Sequence, residues 1–130
     1  MFIGSLLLWI DLETCDPKGI DEIRHKYPNL EIVFQANYSD AEHYLGRNKR
    51  DIDERERFII ICRGFYKSEG KCFLDVANLF QVCNSARTYL GVYTGNRAEL
   101  LKRNPKPPKS VEIFDKRNDL LAFIDRCFVR

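Results

Sequence analysis

Four apolar runs in this 130-residue chain end on residues that can do chemistry. Leu6–Ile10 runs into Asp11 and, two positions on, Glu13. Carboxylates placed this way can help hold a divalent cation, and Asp11, at the very end of the run, is the better placed of the two. The run 58–62 closes on Cys62-Arg63-Gly64. A cysteine ahead of a tight turn can act as a thiolate nucleophile on an anionic substrate, with Arg63 and the loop amides holding the charge. The run 87–93 gives way to Thr94-Gly95-Asn96, and the run 111–114 to Asp115-Lys116-Arg117. Lys67, Lys71 and Arg97 add cations nearby, so an anionic ligand is a third use for the same residues.

Other chemistries are poorly provided for. The five cysteines (Cys15, Cys62, Cys72, Cys83, Cys127) contain no CxxC pair, and His25 and His43 stand alone. Zinc sites draw on closely spaced pairs of such ligands, so no metal is expected and the cysteines read as reduced, structural residues. GxGxxG and P-loop motifs are both missing, so no nucleotide cofactor is expected either. Lys and Arg number 21 against 19 Asp and Glu, a net charge of +2, which argues against nucleic acid as a partner. The apolar start, 1–10, has no basic leader and is far short of the roughly 20 residues that cross a bilayer. A cytoplasmic protein is the expectation, with no membrane partner.

These residues need elements to hold them in place. Leu6–Ile10 reads as a strand buried on both faces. Pro17 and Gly19 punctuate the loop after it, and Ile20, Ile23 and Tyr27 then recur at helical spacing up to Pro28. A second strand spans 30–34. Ser39 and Glu42 form a capping box that opens the next helix. The charged stretch 47–57 reads as a solvated helix end or loop. Phe58–Cys62, β-branched and uncharged, is the most central strand. After the loop 64–70, Phe73, Val76, Ala77, Phe80 and Cys83 share one helical face. A fourth strand covers 87–93, a short helix 98–102, and a fifth strand 111–114. Prolines 105, 107 and 108 keep the intervening loop extended, and a last helix begins at Asn118 or Asp119. Strands alternating with helices call for parallel pairing with right-handed crossovers. The whole chain, 1–130, is therefore expected to be one α/β domain of three layers, a doubly wound parallel five-stranded sheet of order 2-1-3-4-5.

In element order and in its strand ends, this chain resembles the receiver domains of response regulators and their degenerate relatives, the pseudoreceivers, which share the flavodoxin-like fold. The resemblance puts Asp11 at the acidic position after strand one, Thr94 at the hydroxyl position after strand four, and Lys116 at the cation after strand five. It breaks at strand three, where Cys62 and Arg63 stand in place of the phosphoacceptor aspartate. A thiol cannot form the acyl phosphate. The resemblance thus implies a non-catalytic signalling or regulatory domain, one part of a larger multidomain protein, that acts by binding a protein partner.

The competing reading is a thiol enzyme, similar to rhodanese-type sulfurtransferases or cysteine phosphatases, with Cys62 as nucleophile and Arg63 holding the substrate. The phosphatase pattern would need an arginine at the sixth position after the cysteine, where this chain has Ser68. On the binding reading, Asp11, Glu13, Arg63, Lys67, Thr94 and Lys116 form the rim that meets a ligand or partner. Phe65 and Tyr66 are candidate contact aromatics. An open sheet edge also leaves pairing between two copies, a homodimer, among the expected assemblies.

Overall fold

The computed structural model describes residues 3–129. The strands are β1 (Ile3–Ile10), β2 (Glu31–Phe34), β3 (Arg55–Cys62), β4 (Phe65–Tyr66), β5 (Lys71–Cys72), β6 (Thr88–Tyr93) and β7 (Val111–Phe114). The helices are α1 (Pro17–Lys26), α2 (Tyr38–Asp53), α3 (Phe73–Leu79), α4 (Arg97–Arg103) and α5 (Arg117–Val129). One five-stranded sheet has the order β2-β1-β3-β6-β7, all pairs parallel. With the small antiparallel hairpin β4-β5 set aside, this is the order 2-1-3-4-5 of a doubly wound domain.

Side chains alternate across β1 and β3 into two cores. Leu6, Leu8, Ile10, Phe58, Ile60 and Cys62 face the layer of α2, α3 and α4. Leu7, Trp9, Ile59 and Ile61 face α1 and α5. These residues are at most 1% exposed, which is why both central strands read as unbroken apolar runs. Pairing also levels the strand ends, since Ile10 lies opposite Cys62, Cys62 opposite Val92, and Val92 opposite Ile113. The next residue of each strand opens onto one common edge of the sheet.

Several local expectations shift. Pro17 does not sit in a loop. It opens α1, where its missing N–H costs nothing, and the carboxylate of Asp16 caps the helix by accepting from the N–H of Gly19 at 3.2 Å. Ser39 is not the cap of α2. Asn37 is, accepting from the N–H of Asp40 at 2.9 Å. The role expected of Glu42 passes to Glu69 on the β4-β5 hairpin. Its carboxylate takes the N–H groups of Tyr38 and Ser39 at 2.8 and 2.9 Å and the Ser39 hydroxyl at 2.6 Å. The charged stretch divides between α2, which runs on to Asp53, and the start of β3. There Arg55 bridges Glu31 on β2 and Asp51 on α2, at 2.7 and 3.1 Å. Arg117 opens α5, one residue before the expected cap, with the Lys116 carbonyl accepting from Asp119 and Leu120.

Candidate functional site

The shared strand-end edge forms a cleft of about 610 Å³ between the loops that follow β1, β3, β6 and β7. Parallel open sheets place their ligand sites at this edge, where the chain crosses from one face to the other. Of the residues expected at the rim, Asp11, Arg63, Lys67 and Thr94 line the cleft, together with Cys62. Two do not. Glu13 turns outward to Arg24 on α1, at 3.0 Å. Lys116 is exposed outside the cleft and serves the start of α5 through its carbonyl, while Arg117 faces in. The cation that the receiver resemblance assigns to the end of strand five is therefore not at the cleft.

Tyr66 shapes the turn after β3. Its buried hydroxyl donates to the Ile10 carbonyl at 2.7 Å and accepts from the Arg63 N–H at 2.9 Å, tying the ends of β1 and β3 together. The Gly64 carbonyl accepts from the Phe73 N–H at 3.0 Å, which closes the hairpin loop. Gly64 itself is packed so closely that a Cβ there would lie 3.1 Å from both Leu100 methyls and 3.4 Å from Thr94 Oγ1. With its N–H taken by Tyr66, Arg63 projects its guanidinium outward, half-exposed, at 3.9 Å from Asp11. A pair so open to water contributes little to stability.

The most built-up group at the cleft is one the sequence reading passed over. Asp16 is 6% exposed and accepts from Tyr93 Oη at 2.8 Å, from Arg117 Nη2 at 2.8 Å and from Arg117 Nε at 3.2 Å, besides capping α1. Burial alone would raise its pKa. The hydrogen bonds from Arg117, Tyr93 and Gly19 outweigh that and hold the carboxyl below its ordinary range. Burial and the same carboxylate push the Tyr93 phenol up to about 12, so it stays a donor at neutral pH. The sequence did carry a signal: Asp before Pro, with glycine three residues on, is a helix start.

The acids Asp11, Asp16 and Asp115 line the cleft together with the cations Arg63, Lys67 and Arg117. The signs balance, so the cleft has no strong single-sign field to draw in a highly charged ligand. Among the described residues, no group of three His, Cys, Asp or Glu is gathered to hold a metal ion.

Cys62 lies on the cleft floor with 1% of its surface exposed, and burial pushes its thiol well above the usual range. A nucleophilic thiolate requires the reverse, exposure and a lowered pKa. Cys15 is exposed, but desolvation at the cleft wall and the Asp11 carboxylate push its thiol up to about 11. Iodoacetamide near neutral pH should therefore modify the native protein slowly, and only at exposed Cys15 and half-buried Cys72. Cys62, Cys83 and Cys127 should react only on unfolding. Peptide mapping over time would read the order, and Cys62 reacting ahead of Cys15 and Cys72 would support the thiol-enzyme reading.

Among the described residues, no helix is long and apolar enough to cross a membrane. The chain matches no known family model and no curated protein.

Proposed function

We propose that this chain is a pseudoreceiver, a non-catalytic signalling or regulatory domain that works in the cytoplasm by binding a protein partner, within a larger multidomain protein. The observation that carries the reading is the end of β3. Where a receiver needs a carboxylate open to phosphate and metal, this chain has a sealed, neutral thiol followed by an outward-facing guanidinium. Of the neighbouring acids, Asp16 is held by Arg117, Tyr93 and the start of α1, and Asp11 lies 3.9 Å from the Arg63 guanidinium. The charges lining the cleft balance in sign, three acids against three cations, which suits a recognition surface for a partner of mixed charge. Exposed Arg63 and half-buried Phe65 are of the residue types that protein interfaces favour, and exposed Lys67 adds a cation at their rim.

The test is affinity capture from the native cells with the full chain as bait, followed by titration of the purified partner. An Arg63→Glu/Lys67→Glu variant with an unchanged thermal midpoint should bind that partner about tenfold or more weakly. Equal affinity for the variant and the native protein would contradict the rim as the docking surface.

A further inference from the structure

At the end of the sheet opposite the cleft, β1 and β3 carry two polar residues side by side. Ser5 lies opposite Arg57 in the parallel register, on strands about 4.8 Å apart. Both share the face of Leu7 and Ile59, toward α1 and α5. Ser5 is 6% exposed, yet among the described residues none forms a hydrogen bond with its hydroxyl. A buried hydroxyl left unpaired costs stability, so its place in this strand needs a reason.

Arg57 is fixed in place with donors to spare. Its Nε donates to the Cys127 carbonyl at 3.1 Å, its Nη1 lies 3.2 Å from Glu56, and its Cζ sits 5.1 Å from the centroid of the Phe128 ring. Phe128 in turn stacks on Tyr27, with centroids 4.1 Å apart and planes 9° from parallel. Among the described residues, none accepts from Nη2. Ser5 and Arg57 both line a hollow of about 410 Å³, whose other walls include Tyr27, Pro28, Leu30 and Phe128. That volume is in the range of small-molecule sites, roughly 300–1,000 Å³.

The charges around the hollow set the kind of ligand. Lys26 is paired with Asp125 at 2.8 Å. Glu56 stands largely in water, at 56% exposure, while the Arg57 side chain is only 20% exposed, so Glu56 offsets the guanidinium in part. What remains suits a single negative charge better than a phosphate dianion. A planar carboxylate also matches the fork of a guanidinium with a hydroxyl beside it.

We propose that this hollow binds a small organic monocarboxylate, its carboxylate held by the Ser5 hydroxyl and Arg57 Nη2 and its apolar body against Tyr27, Pro28 and Leu30. The site shares no residue with the rim, so it stands or falls separately from the proposed function.

The full chain, isotope-labelled for amide NMR, should be titrated with sodium benzoate, sodium hexanoate, benzamide and inorganic phosphate at constant ionic strength. The better of the two carboxylates should shift the amides of Gly4, Ser5, Asn29 and Arg57 saturably, with a Kd of about 1 mM or lower. Uncharged benzamide should bind about tenfold more weakly than benzoate or not at all. Ser5→Ala should weaken carboxylate binding about tenfold, with a thermal midpoint equal to or above the native one, because it removes an unpaired hydroxyl. Arg57→Gln should weaken binding at least as much, and Ser5→Ala gives the answer if that variant fails to fold. Shifts that do not saturate with either carboxylate, as expected of a hollow that holds only water, overturn the proposal. So do shifts confined to the cleft residues Trp9 and Cys62, native affinity in Ser5→Ala, or phosphate binding more tightly than both carboxylates.

Discussion

Gly91→Ala is expected to destabilise the domain by about 3 kcal/mol, the upper part of the range for overpacking a tight core. Gly91 lies in β6 facing α5, and a Cβ there would come within 2.8 Å of Phe123 Cε2 and 2.9 Å of Phe114 Cζ. Both rings are buried, at 1% and 4% exposure, and pack on each other with centroids 5.4 Å apart. Neither can swing into solvent, so the methyl group must displace the strand or the helix. Urea denaturation reads the loss as a lower midpoint at constant slope. Phe123→Leu placed in the Gly91→Ala background should recover part of it by making room. A Gly91→Ala protein as stable as the native one would mean that α5 does not press on the sheet at this point.

Asp16→Ala should cost about 2–3 kcal/mol, roughly 1 for the lost helix cap and the remainder for the charge-assisted bond from Tyr93. Arg117 contributes little to that sum because water reaches it once it is released. The pH dependence has a defined sign. Asp16 has a depressed pKa in the folded state, so its contribution is fully present above the unfolded carboxyl value and lost as pH falls through the folded one. The gap in stability between native protein and Asp16→Ala should hold steady from neutral pH downward and narrow below about pH 4. A gap that widened in acid would mean that Asp16 is not ionised in the folded protein.

The sheet was legible because its central strands are buried on both faces. Runs such as Phe58–Cys62 leave no room for a helical reading, and the charge-rich crossovers between strands require helices. The hairpin β4-β5 escaped because two-residue strands carry no periodicity. Ser39 misled because Asn37 and Ser39 both suit a helix start, and the choice between them depends on Glu69, 30 residues further along the chain. The candidate site was legible in the residues that directly follow strands, Asp11, Arg63 and Thr94. It was not legible where a side chain takes a partner elsewhere. Glu13 goes to Arg24, Lys116 gives its place to Arg117 as α5 begins, and Asp16 owes its burial to residues 77 and 101 positions away. Strand ends can be read locally; the pairing of charges across them depends on the assembled fold.

The proposed function depends on the loss of phosphate chemistry at the end of β3, and intact-mass spectrometry after incubation with acetyl phosphate and Mg²⁺ tests that loss most directly. The expected spectrum is that of the untreated protein at every time point. A species heavier by one phosphoryl group, mapped to Asp11, Asp16 or Asp115, would contradict it and place this domain among the working phosphoacceptors.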